Sequence, residues 1–259
     1  MSSTIRSDVE QDGALRRVGN LPAWGVRALL RRRITNPPQA ASLHYIALLM
    51  FMAATLCGQQ PDLRGIWKAP PAANENVESV AGKIAYVPAA LAKKHANRPD
   101  GDPEHRCLQP GIPRANYSSP FQIFQTPDAV YIVYQDVHSY RVIPLDGRPH
   151  EDGIPLAMGD SRGRWEGNTL VVDVISLTGE TWLDKAGNYH SDAAHVVERY
   201  TRKDQSTLQY ESSIEDPKVF QKPVKINMTL QLDSKGQILE DECVEDAKGS
   251  RHHVSPFKK

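Results

Sequence analysis

The sequence lacks the short motifs that mark the commonest enzyme classes. It contains no Gly-rich phosphate loop, no dinucleotide fingerprint and no Gly-x-Ser-x-Gly nucleophile elbow. It also lacks net charge, because 31 basic residues balance 31 acidic ones. Nucleic-acid binding needs a basic face that neutralises phosphates, and this composition does not favour one. We therefore predict no cofactor and no nucleic-acid partner.

Long hydrophobic runs are scarce, and a single uncharged run over residues 43–57 stands out. Its fifteen residues are too few to span a hydrocarbon core, which takes about 20. Residues 1–42 before it hold seven arginines and three acids, and the arginines at 31–33 are typical of the positive flank of a signal peptide. The pattern predicts a leader over residues 1–58, with the signal peptide around 31–58, and a periplasmic or secreted protein. A buried helix, an uncleaved membrane anchor, a twin-arginine signal and a lipoprotein signal are the alternatives.

Cysteine is scarce as well, with three residues in the whole chain. Cys57 lies at the expected cleavage edge, so an exported protein keeps Cys107 and Cys243. Two cysteines in an oxidising compartment form a natural pair, and we predict a disulfide between them. Two buried free thiols are the alternative. With no histidine at finger spacing, the cysteines do not predict a zinc site.

Regular structure is expected to be sparse over residues 59–118, where Pro, Asn and Ala are frequent. Each proline removes a backbone donor and fixes φ, which disfavours long helices and strands. This segment is predicted to be an irregular arm that wraps the core. It would contain a first strand at Ile66-Trp67 and a helix or helical turn over 88–96.

Long helical periods are absent from residues 119–259, where apolar runs recur roughly every 8–12 residues. Three pairs of runs flank tight-turn sequences at 167–168, 203–206 and 233–236, which indicates three hairpins. Sequential strands joined by tight turns make an antiparallel meander, and closure removes exposed edges. The chain is therefore predicted to be all-β, with about eight strands that close as a lipocalin-like barrel. A β-sandwich is the alternative.

Six motifs occur in a fixed order within residues 61–246. They are "DPEHRCLQPGIPR", "PFQIFQTPDAVYIVY", "RVIPLDGRPH", "MGDSRGRWEGNTLVVDV", "TWLDKAGNYHSDAAHVVERYTR" and "LQYESSIEDPKVF". Together they resemble an uncharacterised family of exported proteins from soil and environmental bacteria. The resemblance implies a signal peptide followed by one β-rich domain, and it implies no established activity. The chain departs from the family pattern at 135–137, where Gln-Asp-Val stands before His138 in place of an acidic or aromatic pair.

The stretch "GNYHSDAAHVVERY", residues 187–200, concentrates groups that can move protons. His190 and His195 are five positions apart, which places them about 140° apart on a helix and on opposite faces of a strand. Neither element lets both bind one ion, so we predict no metal. Histidine beside a carboxylate can transfer protons near neutral pH, which makes His190, Asp192, His195 and the more distant His138 candidate catalytic residues. A hydrogen-bonded turn followed by an ordinary strand is the alternative.

A second group of residues is suited to holding a ligand. Asp160, Arg162 and Arg164 lie in a Gly-punctuated stretch, and arginine forks bind carboxylates or phosphates. Aromatic and polar residues in or beside strands can line a barrel interior and hold a flat, partly apolar molecule. The candidates of this kind are Tyr134, Tyr140, Trp165, Trp182 and Glu198. Internal ion pairs and core packing are the alternatives.

Three hypotheses about function follow from these patterns. The first is an exported barrel that binds a small, partly apolar or anionic molecule. The second is a cofactor-free isomerase, lyase or hydrolase that uses His and Asp side chains on the same scaffold. The third is a structural or interaction protein of the cell envelope. Contact with the membrane is expected only through the N-terminal segment, if that segment is not cleaved. The sequence makes no prediction of oligomeric state.

Overall fold

The computed structural model describes residues 60–151, 153–245 and 251–254. The chain divides after Cys57 into two units, and all the described residues belong to the second, Gly58–Lys259. The predicted leader and signal peptide, residues 1–58, lie outside the described residues. Within the described ranges, no helix is long and apolar enough to cross a membrane.

Most of the described chain is β-structure, arranged in one large sheet and one small one. The large sheet has nine antiparallel strands: β1 (Gly65–Lys68), β2 (Phe121–Gln125), β3 (Ala129–Tyr134), β4 (Tyr140–Pro144), β5 (Asp160–Glu166), β6 (Thr169–Ile175), β7 (His195–Arg202), β8 (Thr207–Glu215) and β9 (Val224–Leu232). The small sheet pairs β10 (Glu242–Glu245) with β11 (Arg251–Val254). The all-β prediction is confirmed.

The large sheet is a meander that nearly closes into a barrel. Its spatial order is β4-β3-β2-β1-β9-β8-β7-β6-β5, so β4 and β5 are its two edges. These edges lie against each other: Nε of Arg141 on β4 donates to Oγ of Ser161 on β5 at 2.8 Å. Gly163 on β5 also approaches β4 so closely that an added Cβ would lie 2.7 Å from Ile143 Cγ2. The barrel prediction is therefore confirmed, with a seam between β4 and β5 that side chains bridge.

Alternation of side chains separates the inner and outer faces of the strands. On β7, Val196, Glu198 and Tyr200 are buried, whereas His195 and Val197 face outward and are half-buried. Period-2 alternation is the expected geometry of a strand with one face on the core. The outward position of His195 follows from this alternation.

Local turn chemistry explains two of the three predicted hairpins. Gly167, with φ +60°, turns β5 into β6, and residues 203–206 turn β7 into β8. The third predicted hairpin, turned at 233–236, is wrong. After β9 the chain does not pair back onto it; β9 instead pairs with β1 through Trp67 and Leu232. The last strands form the separate β10–β11 sheet, because β1 already occupies that edge of β9.

The proline-rich arm, predicted to be irregular and to wrap the core, contributes side chains to the core itself. It holds four short helices, α1 (Ala72–Glu75), α2 (Glu78–Ala81), α3 (Pro88–Ala96) and α4 (Ala115–Ser118), with two 3₁₀ turns at Pro99–Gly101 and Pro103–Arg106. The helix expected over 88–96 is therefore confirmed as α3. Leu63, Trp67, Val77 and Tyr117 from this arm are buried in the same core cluster as the strands. The arm is thus part of the β domain's fold.

One covalent bond fastens the arm to the end of the chain. Cys107 and Cys243 form a disulfide, with a Cα–Cα distance of 5.7 Å and 136 positions of sequence between them. The predicted pairing is confirmed. A structural disulfide is typical of proteins that fold outside the reducing cytoplasm.

Candidate functional site

The barrel interior is packed with large side chains. Trp67, Phe121, Tyr134, Tyr200 and Tyr210 are all less than 2 % exposed. Two of the residues predicted to bind a ligand, Tyr134 and Glu198, belong to this interior.

Glu198 is the centre of a buried polar network. Its Oε1 accepts hydrogen bonds from Asn116 Nδ2 at 2.7 Å, Tyr210 at 2.8 Å and Tyr200 at 3.1 Å. Its Oε2 lies 2.5 Å from Nη2 of Arg141, a close ion pair that is not aligned as a hydrogen bond. Burial opposes the charge of Arg141, but the Glu198 carboxylate raises the pKa of the guanidinium. The network joins β4, β7 and β8 to α4, and its contacts are those of a core that fixes the barrel.

The three candidate acid–base residues of 187–200 do not meet. His190 is buried, where Nδ1 donates to Ser191 O at 3.0 Å and Nε2 accepts from Thr181 Oγ1 at 2.8 Å. Burial lowers the pKa of His190, which favours its neutral form. Asp192 is exposed and pairs with Lys218 at 2.8 Å, which lowers the pKa of its carboxyl. Both residues are thus engaged in local contacts away from His195.

His195 instead joins a chain of four side chains on the outer face of the barrel. Its Nε2 lies 2.9 Å from Oδ2 of Asp173, and Oδ1 of Asp173 lies 2.8 Å from Nε2 of His150. Nδ1 of His150 lies 2.8 Å from Oδ2 of Asp160. We call His195, Asp173, His150 and Asp160 the His–Asp chain.

Strand register builds this arrangement. Asp173 on β6 lies directly opposite Val197 on β7 and Arg162 on β5. His195 is two positions from Val197, and Asp160 is two positions from Arg162, so both carboxylates and His195 share the outer face. His150 reaches this face from the loop between β4 and β5. Strands β6 and β7 and the loop therefore meet at the Asp173 carboxylate, and β5 joins them through the contact of Asp160 with His150.

The proton positions follow from the donor and acceptor chemistry of the chain. An ionised carboxylate only accepts, so the His195–Asp173 hydrogen bond requires a proton on Nε2 of His195. Each ring nitrogen of His150 faces a carboxylate. His150 can donate a hydrogen bond to both carboxylates only when both of its ring nitrogens carry a proton. Burial tends to raise the pKa of Asp173, but hydrogen bonds from His195 and His150 outweigh it, and the net pKa is lowered. Asp173 therefore stays ionised between its two imidazoles.

His195 differs from His150 in its access to solvent. The side chain of His195 is 41 % exposed, against 21 % for His150. Across the described residues, no hydrogen-bond partner faces Nδ1 of His195. The carboxylate thus holds one ring nitrogen and leaves the other accessible from solution.

The predicted anion-binding arginines are already paired. Nη1 of Arg162 lies 2.5 Å from Oδ1 of Asp160, and its Nε donates to Pro149 O at 2.9 Å. These bonds hold the loop that carries His150 against β5. Arg164 is exposed and pairs with Glu166 at 2.7 Å. Arg162 therefore positions the His–Asp chain, and Arg164 lies outside it.

The remaining predicted ligand residues are dispersed over the molecule. Tyr140 is 68 % exposed on the outer face of β4. Trp165 and Trp182 are half-buried and pack against the core. The prediction for His138 lies outside the described side chains.

Asp173 is the central residue that the sequence did not reveal. Its signal is a single acidic residue inside an otherwise apolar strand, "TLVVDVI". That pattern shows that Asp173 faces outward but does not identify its partners, which lie 22 and 23 positions away. In the described part of the chain, no group of three or more His, Cys, Asp or Glu side chains is placed to hold a metal ion.

A shallow groove lies next to the His–Asp chain. It has a volume of about 300 Å³ and is lined by outer-face residues of β7, β8 and β9, including Val197, Arg199, Ser213, Lys225 and Asn227. Val197 is the cross-strand neighbour of Asp173 and is two positions from His195. None of the four residues of the His–Asp chain lines the groove, and Val197 connects the two.

Comparison with known proteins gives no assignment: the chain matches no protein-family model and no curated protein. The resemblance inferred from the six motifs stays a prediction.

Proposed function

We propose that this protein is a cofactor-free enzyme that transfers protons with His195 on the outer face of its barrel. The observation that supports this proposal is the contact between Nε2 of His195 and Asp173, which leaves Nδ1 accessible to solvent. A carboxylate that orients one imidazole nitrogen while the other meets the substrate is a recurrent arrangement for general acid–base catalysis. The reaction class is an isomerisation, an elimination or a hydrolysis.

Each member of the His–Asp chain has a separate role in this proposal. His195 takes a proton from the substrate on Nδ1 or returns one to it. Asp173 is a positioning residue that fixes the ring and stabilises the charge that His195 gains. His150, held by Asp160, orients Asp173 from its other oxygen. Such general acid–base catalysis typically contributes about 10²–10⁴-fold in rate.

The groove beside His195 is the proposed place for the substrate. Its polar outer-face side chains, among them Ser213, Lys225 and Asn227, suit a small polar molecule. Ligand binding inside the barrel, the first hypothesis from sequence, has less support because aromatic side chains fill that space. The small-molecule partner is therefore proposed on the outside of the barrel.

We also propose that the protein works in the periplasm or is secreted. The Cys107–Cys243 disulfide supports this location, because such bonds persist in oxidising compartments. The predicted signal peptide would supply the route.

A proton-exchange assay tests the proposed function. The purified protein is incubated in D₂O with a panel of small keto acids, enolisable ketones and hydroxy acids, and deuterium incorporation is followed by NMR. A parallel panel of activated esters reports hydrolysis. We expect catalysis of at least one compound by the natural protein, and a loss of about 10²-fold or more in His195→Ala.

The matched control is His95→Ala, which removes an exposed histidine on α3 that is not part of the His–Asp chain. It should keep full activity. Asp173→Asn should keep substrate affinity and lower the turnover rate. Catalysis that survives His195→Ala, or no catalysis with any compound of either panel, would contradict the proposal.

A further inference from the structure

A second cleft, separate from the His–Asp chain, is lined by three lysines. It lies between the arm segment that follows α2 and the start of β9, and its volume is about 410 Å³. Lys83, Lys222 and Lys225 line it together with Ile84 and Val224. A volume in this range is typical of pockets for small organic molecules, which span about 300–1,000 Å³.

Backbone bonds hold the two walls of the cleft together. Gln221 N donates to Ala85 O at 2.8 Å, and Val87 N donates to Val219 O at 3.0 Å. Tyr86 and Phe220 also form an antiparallel bridge. The cleft is therefore formed by the folded arm and the sheet before any ligand arrives, which lowers the entropic cost of binding.

The charged side chains that line the cleft are three lysines, and one carboxylate adjoins it: Oε1 of Glu78 accepts a hydrogen bond from Ile84 N at 2.9 Å. Lys83, Lys222 and Lys225 are exposed, no carboxylate lines the cleft, and within the described ranges these lysines have no ion-pair partner. Elsewhere in the described ranges Lys68, Lys185 and Lys218 each pair with a carboxylate, whereas Lys94, Lys203 and Lys235 have no ion pair either. The cleft is distinguished by bringing three such lysines to one cavity. Three unneutralised ammonium groups around one cavity favour an anion.

Apolar and polar atoms share the lining of the cleft, and its small apolar part lies at the floor. Ile84 and Val224 are 7 % and 5 % exposed, and Ala81, Ala85 and Pro223 complete the surface between the lysines. A simple inorganic anion would leave this floor in contact with water. A ligand with an apolar body would cover it and gain free energy in proportion to the apolar area buried.

We propose that this cleft binds an amphiphilic organic anion, a small molecule with an apolar body and a carboxylate, sulfonate or phosphate group. The apolar body lies on Ile84 and Val224, and the anionic group lies among the three lysines. Binding in the cleft is independent of the proposed catalysis. Lys225 also lines the groove on β7, β8 and β9, so the cleft and the groove share this one residue.

The probe for this proposal is anilinonaphthalene sulfonate, which joins an apolar body to one sulfonate and fluoresces when it is desolvated. Its neutral counterpart, N-phenylnaphthylamine, has the same aromatic body without the anion. Fluorescence titration of the purified protein should show saturable binding of one sulfonate probe per chain. The neutral probe should bind at least about tenfold more weakly, since it gains nothing from the lysines.

Two triple variants separate the cleft from the general surface charge. Lys83→Gln, Lys222→Gln and Lys225→Gln together should weaken sulfonate binding at least about tenfold. The control, Lys94→Gln, Lys203→Gln and Lys235→Gln, removes the same charge elsewhere and should change binding less than about twofold. Equal thermal midpoints of the two variants establish that both are folded.

Three results would overturn the proposal. They are no saturable binding by the natural protein, equal affinity for the two probes, and equal losses in the two triple variants. His195→Ala should bind the sulfonate probe as the natural protein does. If the natural protein binds the probe but catalyses no reaction, the proposed function alone is refuted. If the natural protein is catalytically active but shows no saturable probe binding, this inference alone is refuted.

Discussion

Glu198→Gln should destabilise the protein strongly, although it changes few atoms. Glutamine keeps an oxygen to accept from Asn116 and Tyr210, but it removes the charge that Arg141 contacts at 2.5 Å. Arg141 is 3 % exposed, so its guanidinium would be buried without a counter-charge. Breaking a buried ion pair in this way typically costs about 3–5 kcal/mol.

A double-mutant cycle isolates the charge effect. Arg141→Met alone leaves Glu198 buried without its cation and should cost a similar amount. Arg141→Met combined with Glu198→Gln contains neither charge, and it should be more stable than the sum of the single losses by about 2 kcal/mol or more. The free energy of unfolding is measured by urea denaturation, followed by tryptophan fluorescence.

A surface pair provides the control for this cycle. Glu166, the last residue of β5, pairs on the surface with Arg164 of the same strand and with Arg199 of β7. Glu166→Gln should have a much smaller effect, because exposed ion pairs contribute little. If Glu198→Gln costs no more than Glu166→Gln, or if the losses at Arg141 and Glu198 are additive, the argument that this pair holds the barrel interior is refuted.

Three further predictions concern pH, covalent linkage and packing. Burial keeps the pKa of His190 below its ordinary 6.5, so the unfolded chain binds more protons than the folded protein, and stability should fall as pH drops below about 6.5. His190→Gln should flatten this part of a plot of the thermal midpoint against pH, and an unchanged plot would refute the prediction. Replacing Cys107 and Cys243 by serine should cost up to about 5 kcal/mol in urea unfolding, because the disulfide closes a long loop, and no loss would contradict this estimate. Gly163→Ala places a Cβ 2.7 Å from Ile143 Cγ2 at the barrel seam and should lower the free energy of unfolding by about 1–3 kcal/mol, measured by thermal unfolding. A neutral effect would show that the seam is packed less closely than described.

The sequence predicts structure well where the determinants are local. The hairpin at Gly167 follows from the Gly-Asn turn sequence between two strand-like runs, and the structure gives this glycine a φ of +60°. The stretch 233–236 offers similar turn chemistry, yet the predicted third hairpin does not form. The partner of β9 is β1, more than 150 positions earlier in the chain. Turn sequences show where a strand ends, but they cannot show which distant strand occupies its edge.

The candidate site illustrates the same limit for side chains. Alternation along β7 places His195 on the outer face and Glu198 in the core. Proximity in sequence makes His190 and Asp192 the apparent partners of His195. His190, however, is buried and hydrogen-bonded to Thr181, and Asp192 pairs with Lys218. The actual partner, Asp173, comes from the register between β6 and β7. Spacing within one stretch cannot supply that information.

The tautomer of His195, measured by long-range nitrogen–proton NMR on ring-labelled protein, tests the central claim most directly. The account predicts that neutral His195 carries its proton on Nε2, toward Asp173, with Nδ1 bare. Asp173→Ala should remove this preference, whereas Asp192→Ala should leave it unchanged. A proton on Nδ1 in the natural protein, or a tautomer that does not respond to Asp173→Ala, would contradict the proposed proton-transfer site.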